Sequence, residues 1–222
     1  MTKPKSGMGL SETCITYLEE WLKEQPEFYR RSRDIKSKYL DKGNFCEVDS
    51  MAFAARIYGW GLVIKNTERK ANEFIEGEAD LVLADLIADI KNSWSEKTFP
   101  LFDEEIPEKG YGMQLQGYCE LWDKPAGSVI YTLMDAPEFL VEKEAHSRSW
   151  EMGLEEVPAE LYDEVKAEMT YSDLPDKLRI KRFNIIRDKK FIESVYEQVK
   201  ACRKWIDQKV YEYADVINNP EL

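Results

Sequence analysis

The stretch Glu76–Trp94 constrains the fold more than any other part of this sequence. Within it, Leu86–Lys91 is short and apolar apart from Asp89 and Lys91, which predicts a β-strand. Side chains alternate along a strand, so these two residues share one face. Burying a lone carboxylate or ammonium in apolar surroundings costs free energy. The chain must therefore place Asp89 and Lys91 either in solvent or in a functional site.

Two interpretations of this strand are open. In the first, Asp89 and Lys91 face water on a surface hairpin and form a weak salt bridge. In the second, the carboxylate binds a hard divalent cation, and the ammonium positions a water or stabilises charge on a phosphoryl group. Asp80 begins the preceding predicted strand, three residues after Gly77, and would supply a second carboxylate to the same ion. The D-x-K pattern alone does not choose between them, because it occurs by chance in many proteins.

Three further residues favour the second interpretation. Glu47 lies beside the apolar stripe of a predicted helix upstream. Gln114 and Tyr118 are spaced i, i+4 on a predicted helix downstream, which sets both polar groups on one helical face. From there they would reach a phosphate or a metal-bound water.

The order of these residues resembles the PD-(D/E)xK nuclease superfamily. The elements that carry the resemblance are Glu47, Gly77-x-x-Asp80, Asp89-x-Lys91 and Gln114-x-x-x-Tyr118. The last element is characteristic of the branch that contains RecB-type nuclease domains and phage recombination exonucleases. The resemblance is good over about residues 43–135 and weaker elsewhere.

The order of predicted helices and strands indicates a fold of the α/β (α+β) class, and the resemblance agrees with it. A central mixed β-sheet of the restriction-endonuclease-like type would be flanked by helices, with extra N- and C-terminal helices. The whole chain, residues 1–222, would form a single nuclease-like domain. Its core would span about 43–135, with helical additions at 1–42 and 136–222.

The resemblance also implies roles for individual residues. Asp80 and Asp89 would bind one or two Mg²⁺ ions, with Mn²⁺ as an alternative. Lys91 would orient or activate the attacking water, and it would matter more to the chemical step than to folding. Gln114 and Tyr118 would fix the scissile strand. The full implied set of metal ligands is Glu47, Asp80, Asp89 and the carbonyl of Ile90.

The cysteine and histidine content argues against an iron–sulfur cluster and against mechanisms that need two histidines. Some family members hold an iron–sulfur cluster with one upstream and three clustered downstream cysteines. Here four cysteines lie far apart without a C-x-x-C pair, and Cys202 stands alone downstream, so we expect no iron–sulfur cluster. Reduced, packed thiols are expected instead. The single His146 excludes mechanisms that need two histidines.

Charge limits how the chain binds nucleic acid. With 31 Lys and Arg against 43 Asp and Glu, the net charge of −12 argues against coating DNA through bulk electrostatics. Two basic segments, Glu27–Lys42 and Lys177–Lys190, leave room for a local polyanion groove. An enzyme that encloses a DNA end needs less non-specific affinity than one that searches for internal sites.

The expected function is therefore Mg²⁺-dependent hydrolysis of DNA phosphodiester bonds, as an exonuclease at duplex ends in phage-type recombination or DNA processing. A ring-shaped homo-oligomer and a single-strand annealing protein partner are implied by the resemblance. The alternatives are a structure-specific endonuclease, a catalytically silent nuclease-fold module that binds DNA or protein, and an acidic helical interaction protein.

No apolar run approaches the roughly 20 residues that a membrane helix needs. The polar start, Met1–Gly9, lacks the apolar region of a signal peptide. A cytoplasmic protein is expected, in the bacterial host if the chain is phage-encoded.

Local patterns predict the remaining elements. A basic helix is expected to end at Lys42-Gly43-Asn44, where a second helix follows it. Gly59 is expected to end the second helix. Trp94 and Trp122 flank the proposed site, and packing is favoured over base stacking for both. The predicted helices are Ser11–Glu24, Glu27–Leu40, Phe45–Ile57, Tyr111–Trp122, Ala136–Arg148, Pro158–Met169 and Asp188–Val216. The predicted strands are Leu62–Ile64, Glu73–Ile75, Asp80–Leu83, Leu86–Lys91, Ser128–Met134 and Arg179–Ile186.

Overall fold

The computed structural model describes residues 9–30 and 37–214. The chain divides into two compact units, one comprising Met1–Ile35 and Asp188–Leu222 and the other comprising Lys36–Arg187. A single nuclease-like domain over residues 1–222 stays a prediction. No helix within the described ranges is long and apolar enough to cross a membrane. In chain order the elements are α1 (Glu12–Glu24), α2 (Lys38–Tyr58), β1 (Lys70–Ala71), β2 (Glu76–Gly77), β3 (Leu81–Val82), β4 (Leu86–Asn92), α3 (Lys109–Leu121), β5 (Ala126–Thr132), α4 (Glu138–Glu151), α5 (Ala159–Glu168), β6 (Ile180–Ile186) and α6 (Lys189–Glu212).

The first unit is built from α1 and α6, which pack through apolar side chains. Leu18 and Leu22 of α1 are buried in one cluster with Trp205 of α6. Ser11, where this helix was predicted to begin, caps α1, because its hydroxyl accepts a hydrogen bond from the amide of Cys14 at 3.2 Å. The Sγ atoms of Cys14 and Cys202 lie 3.6 Å apart, and both thiols are free.

The second unit contains a four-stranded mixed sheet in the order β3-β4-β5-β6. The central pair, β4 and β5, is parallel, whereas β3 and β6 pair antiparallel with their neighbours. One face packs against α2, where Met51 and Ala54 meet Ile90. The other face packs against α3, where Leu115 meets Ile87. Helices on both faces of a mixed sheet confirm the predicted fold class.

All four strands of this sheet were predicted within two residues of their observed bounds. β3 is shorter than predicted by one residue at each end. Because β6 spans Ile180–Ile186, the sheet draws on residues beyond the predicted core at 43–135. The helices α3, α4 and α5 likewise lie close to their predicted ranges.

The predicted break at Lys42-Gly43-Asn44 is wrong, since α2 runs through these residues without interruption. The ammonium of Lys42 is buried and donates hydrogen bonds to the carbonyls of Ser93 at 3.1 Å and Trp94 at 2.9 Å. A glycine inside a helix costs only about 1 kcal/mol, which these tertiary contacts exceed. Of the predicted helix at Glu27–Leu40, residues 31–36 lie outside the described residues.

The predicted strands at Leu62–Ile64 and Glu73–Ile75 do not form. Leu62 is 93% exposed and Ile64 is 80% exposed, so their apolar character does not reflect a buried strand face. The second segment is a turn in which the carbonyl of Ile75 accepts from the amide of Asn72 at 2.9 Å. This turn joins the short strands β1 and β2, which form a separate two-stranded sheet.

Candidate active site

The pairing of β3 with β4 brings two carboxylates together. Leu81 lies opposite Ala88, so the same antiparallel register continued by one residue sets Asp80 opposite Asp89. Opposed residues in an antiparallel pair project to the same face of the sheet. Asp80 is held there because its Oδ2 accepts a hydrogen bond of 2.7 Å from the amide of Ile90. Two carboxylates nine residues apart in sequence are therefore neighbours on one face.

Asp89 and Lys91 form an ion pair inside the protein. The Nζ of Lys91 lies 2.7 Å from Oδ2 of Asp89. Asp89 is only 3% exposed, and the side chain of Lys91 is 24% exposed. Oδ2 of Asp89 is buried, and no described residue other than Lys91 offers it a hydrogen-bond donor. The interpretation of the pair as a solvent-facing salt bridge on a hairpin is therefore wrong.

Burial and like charge act together on the two carboxyl groups. Burial raises the pKa of Asp80 to about 6, and the neighbouring charge of Asp89 adds to the shift. Burial also raises the pKa of Asp89, against the opposing effect of Lys91. Burial lowers the pKa of Lys91, but the charge and hydrogen bond of Asp89 outweigh it and leave that pKa raised. One ammonium thus faces two carboxylates, an arrangement that a further cation would stabilise.

A cavity of about 470 Å³ opens beside this cluster. Its wall includes Glu47 of α2 together with Asp80, Ile90 and Lys91. The carboxylate of Glu47 is paired with the ammonium of Lys65, and its charge contributes to the raised pKa values of Asp80 and of Asp89. Metal ligation by Glu47 stays a prediction, and it requires the pair with Lys65 to open.

Gln114 and Tyr118 contact each other rather than the cavity. The Nε2 of Gln114 donates to the hydroxyl of Tyr118 at 2.6 Å, and neither residue lines the cavity. Tyr118 is 8% exposed, and burial raises its pKa, followed by the charge of Asp89. A Cβ on Gly77 would lie 2.4 Å from Cε1 of Tyr118, so the glycine of the second motif makes room for this ring. Contact of the pair with a DNA strand stays a prediction.

Polar contacts behind the cavity were not anticipated from the sequence. The hydroxyls of Ser50 and Thr132 each donate to Oδ1 of Asn92 at 2.8 Å, which ties α2 to the ends of β4 and β5. Lys42 ties α2 to the loop after β4, and burial lowers its pKa to about 8. These residues come from separate elements and form no local pattern, so no sequence signal identifies them. Trp122 is 8% exposed within the core, which agrees with packing rather than stacking.

The residues present fit a hard divalent cation in part. Among the described residues, Oδ2 of Asp89 has no hydrogen-bond donor besides Lys91, and the available ligand atoms are oxygens, which Mg²⁺ prefers. No three described Asp, Glu, His or Cys side chains lie close enough together to hold a metal by themselves. The residues that would hold the ion are Asp80 and Asp89 with the carbonyl of Ile90, and this ligand set stays a prediction. It agrees with the usual binding of Mg²⁺ through one or two carboxylates, with waters and substrate phosphate as the other ligands.

The fold is similar to that of a phage-related exonuclease from Haemophilus somnus 129PT. The two chains are 28% identical, with a TM-score of 0.74, over 95% of this chain and 90% of the other. The similarity extends over nearly the whole length and includes the mixed sheet that carries Asp80, Asp89 and Lys91. The chain is thus similar to members of the PD-(D/E)xK nuclease superfamily, in agreement with the resemblance carried by its motifs.

A second exonuclease structure shares the fold at lower identity. An alkaline exonuclease from Laribacter hongkongensis is 14% identical, with a TM-score of 0.56, over 96% of this chain and 85% of that one. In the structure of this exonuclease, LHK-Exo, in complex with dAMP, the protein chain is 13% identical, with a TM-score of 0.56, over 91% of this chain and 82% of that one. No protein-family profile and no curated protein match this sequence.

Proposed function

We propose that this chain is a Mg²⁺-dependent deoxyribonuclease that removes nucleotides from the ends of duplex DNA. The observation that supports the proposal most directly is the convergence of Asp80, Asp89 and Lys91 beside one cavity. Nuclease activity is further supported by similarity to a phage-related exonuclease. The dAMP complex of the alkaline exonuclease supports a DNA substrate.

In this proposal Asp80, Asp89 and the carbonyl of Ile90 hold the metal ion. When bound, Mg²⁺ supplies positive charge that stabilises the phosphate oxygens as negative charge develops on them. Asp80 must be ionised to take part. Without a metal ion, burial raises its pKa to about 6, so binding of Mg²⁺ below this pH must release a proton. The neighbouring amide of Ile90 fixes the orientation of the Asp80 carboxylate before any ligand arrives.

Lys91 contributes a positive charge to the site through its ammonium, which is paired with Asp89. Its pKa is raised, so its ammonium stays protonated at neutral pH and can donate to a phosphate oxygen or to the attacking water. The ring of Tyr111 lies 4.6 Å from Nζ and limits where the ammonium can move. Lys91 therefore serves as an oriented donor rather than as a general base.

Action at DNA ends is supported by the distribution of positive charge. Within Lys177–Lys190, three side chains are used inside the second unit rather than left free for DNA. Lys181 donates to the carbonyl of Leu101, and Arg182 donates to the hydroxyl of Ser128. Arg187 pairs with Glu120 and Asp123. With a net charge of −12, the chain is poorly equipped to bind internal duplex sites.

A ring-shaped homo-oligomer and a single-strand annealing partner are part of the proposal, together with a role in phage recombination.

The test compares equal amounts of linear and covalently closed circular duplex DNA, incubated with Mg²⁺ or with EDTA. We expect rapid loss of the linear form in Mg²⁺, survival of the circle, and no cleavage in EDTA. Equal rates on both forms would instead identify an endonuclease. No cleavage of either form would identify a binding module.

A matched pair of variants assigns the activity to the site. Asp89→Asn removes the buried charge while preserving size, and we expect it to abolish cleavage. Asp85→Asn changes an exposed aspartate in the turn between the same two strands, and we expect wild-type rates. Equal activity of the two variants would contradict the proposed site.

A further inference from the structure

The cavity beside the candidate active site carries an exposed aromatic ring. Among the described residues that line it, the aromatic ones are Tyr39, Trp94, Tyr111 and Tyr131. Tyr131 is 8% exposed, and the ammonium of Lys91 lies over the ring of Tyr111. Trp94 packs partly in the core, with the ammonium of Lys38 at 4.9 Å from its ring centroid. Tyr39, at 59% exposure, is therefore the ring with surface free for a ligand.

Helix geometry aligns Tyr39 with the candidate metal site. Tyr39, Gly43 and Glu47 follow one another at intervals of four residues and share one face of α2 along the cavity. At 1.5 Å per residue, the Cα atoms of Tyr39 and Glu47 lie about 12 Å apart along the helix axis. A Cβ placed on Gly43 would meet no atom within 4 Å, so the space beside Gly43, between Tyr39 and Glu47, is open.

The ring is also held in place before a ligand binds. Tyr39 meets Trp94 edge to face, with ring centroids 5.2 Å apart and an interplanar angle of 80°. Lys38, which precedes it, is fixed by an ion pair of 2.9 Å with Glu144. A side chain restrained in this way loses less conformational entropy on binding.

We propose that Tyr39 is a base-stacking residue that binds the nucleobase of the nucleotide at the DNA end, while its phosphate lies toward Asp80 and Lys91. This inference rests on the proposed nuclease function and adds a substrate contact to it. The cavity of about 470 Å³ has the scale of a small-ligand site. Stacking suits an enzyme that degrades any sequence, because every base offers an aromatic face.

The experiment uses duplex ends whose terminal nucleotide is either intact or abasic. Wild-type protein should cleave the intact end with a kcat/KM about tenfold above that of the abasic end, which is the scale of one stacked base. Tyr39→Ala should lose this preference, with a rise in KM for the intact end. Tyr39→Phe should retain it. Tyr17→Ala, which removes a ring of 66% exposure from α1, serves as the control and should match the wild type.

A binding arm separates this inference from the proposed function. The affinity for the same two ends is measured with Ca²⁺ in place of Mg²⁺, by anisotropy of a label at the far end of the duplex. If wild-type protein cleaves neither end, the nuclease function is refuted, and the affinities alone decide the stacking. Equal affinity of wild-type protein for the intact and abasic ends overturns the role of Tyr39. An unchanged preference in Tyr39→Ala, or a loss of preference in Tyr39→Phe, overturns it as well.

Discussion

Asp80→Asn should make the apo protein more stable while it removes cleavage. The carboxyl of Asp80 is largely buried, and its pKa rises from 3.8 to about 6 on folding. Between these values the folded state retains a proton that the unfolded state has lost. Stability therefore falls as the pH rises through this window, and the full cost is present above about pH 6. Asparagine carries no charge, and its oxygen can still accept from the amide of Ile90.

The magnitude follows from the shift. Two pKa units correspond to about 3 kcal/mol, and partial solvent access to Asp80 reduces the expected gain to about 1–2 kcal/mol at pH 8. At pH 5 the gain should be about half as large, because the folded wild-type carboxyl is then mostly protonated. Asp85→Asn should change stability by less than about 0.5 kcal/mol at either pH.

Urea unfolding in EDTA at pH 5 and pH 8 measures these differences. A second series with Mg²⁺ tests the metal, since a ligand that binds only the folded state stabilises it. Wild-type protein should gain stability in Mg²⁺, and Asp80→Asn should not. A variant that is no more stable than wild type at pH 8 in EDTA would refute the electrostatic reasoning. Equal gains in Mg²⁺ would remove Asp80 from the metal site.

Three further substitutions test packing and the ion pair. Gly77→Ala should destabilise the protein by about 1–3 kcal/mol in urea unfolding, because its Cβ would lie 2.4 Å from the ring of Tyr118. Gly43→Ala should stabilise it by about 0.5–1 kcal/mol in the same assay, because the added methyl meets no atom within 4 Å inside a helix. Lys91→Ala should abolish cleavage and also lower stability by about 1–3 kcal/mol, since Asp89 loses its buried partner. Adding Asp89→Asn should restore most of that stability, and a double variant as unstable as Lys91→Ala would contradict the role of the pair.

The expected loss of stability in Lys91→Ala revises an expectation drawn from the sequence. That expectation was that Lys91 is half-exposed and matters more to the chemical step than to folding. The structure instead pairs it with an aspartate that is 3% exposed. Burial of Asp89 depends on α3 covering that face of the sheet, which the strand sequence does not specify.

The sequence by itself determined the elements whose signals are local. Alternation in Leu86–Lys91 set Asp89 and Lys91 on one face, and β4 forms there. The predicted helix Ser11–Glu24 differs from the observed α1 by one residue, and Ser11 caps it. The order of the four motifs indicated a resemblance to PD-(D/E)xK nucleases, and with it the candidate site residues. These signals persist because strand alternation and helix capping depend on neighbours within a few residues.

Tertiary structure decided the features that depend on distant partners. The register of β3 against β4, rather than any spacing in the chain, set Asp80 opposite Asp89. The contact of Lys42 with the carbonyls after β4 carried α2 through a sequence that locally favours a break. Tyr39 acquired its place at the cavity only because α2 continues through Gly43. In each case the free energy comes from burial and hydrogen bonds between residues far apart in sequence, and a local pattern contains no information about such partners.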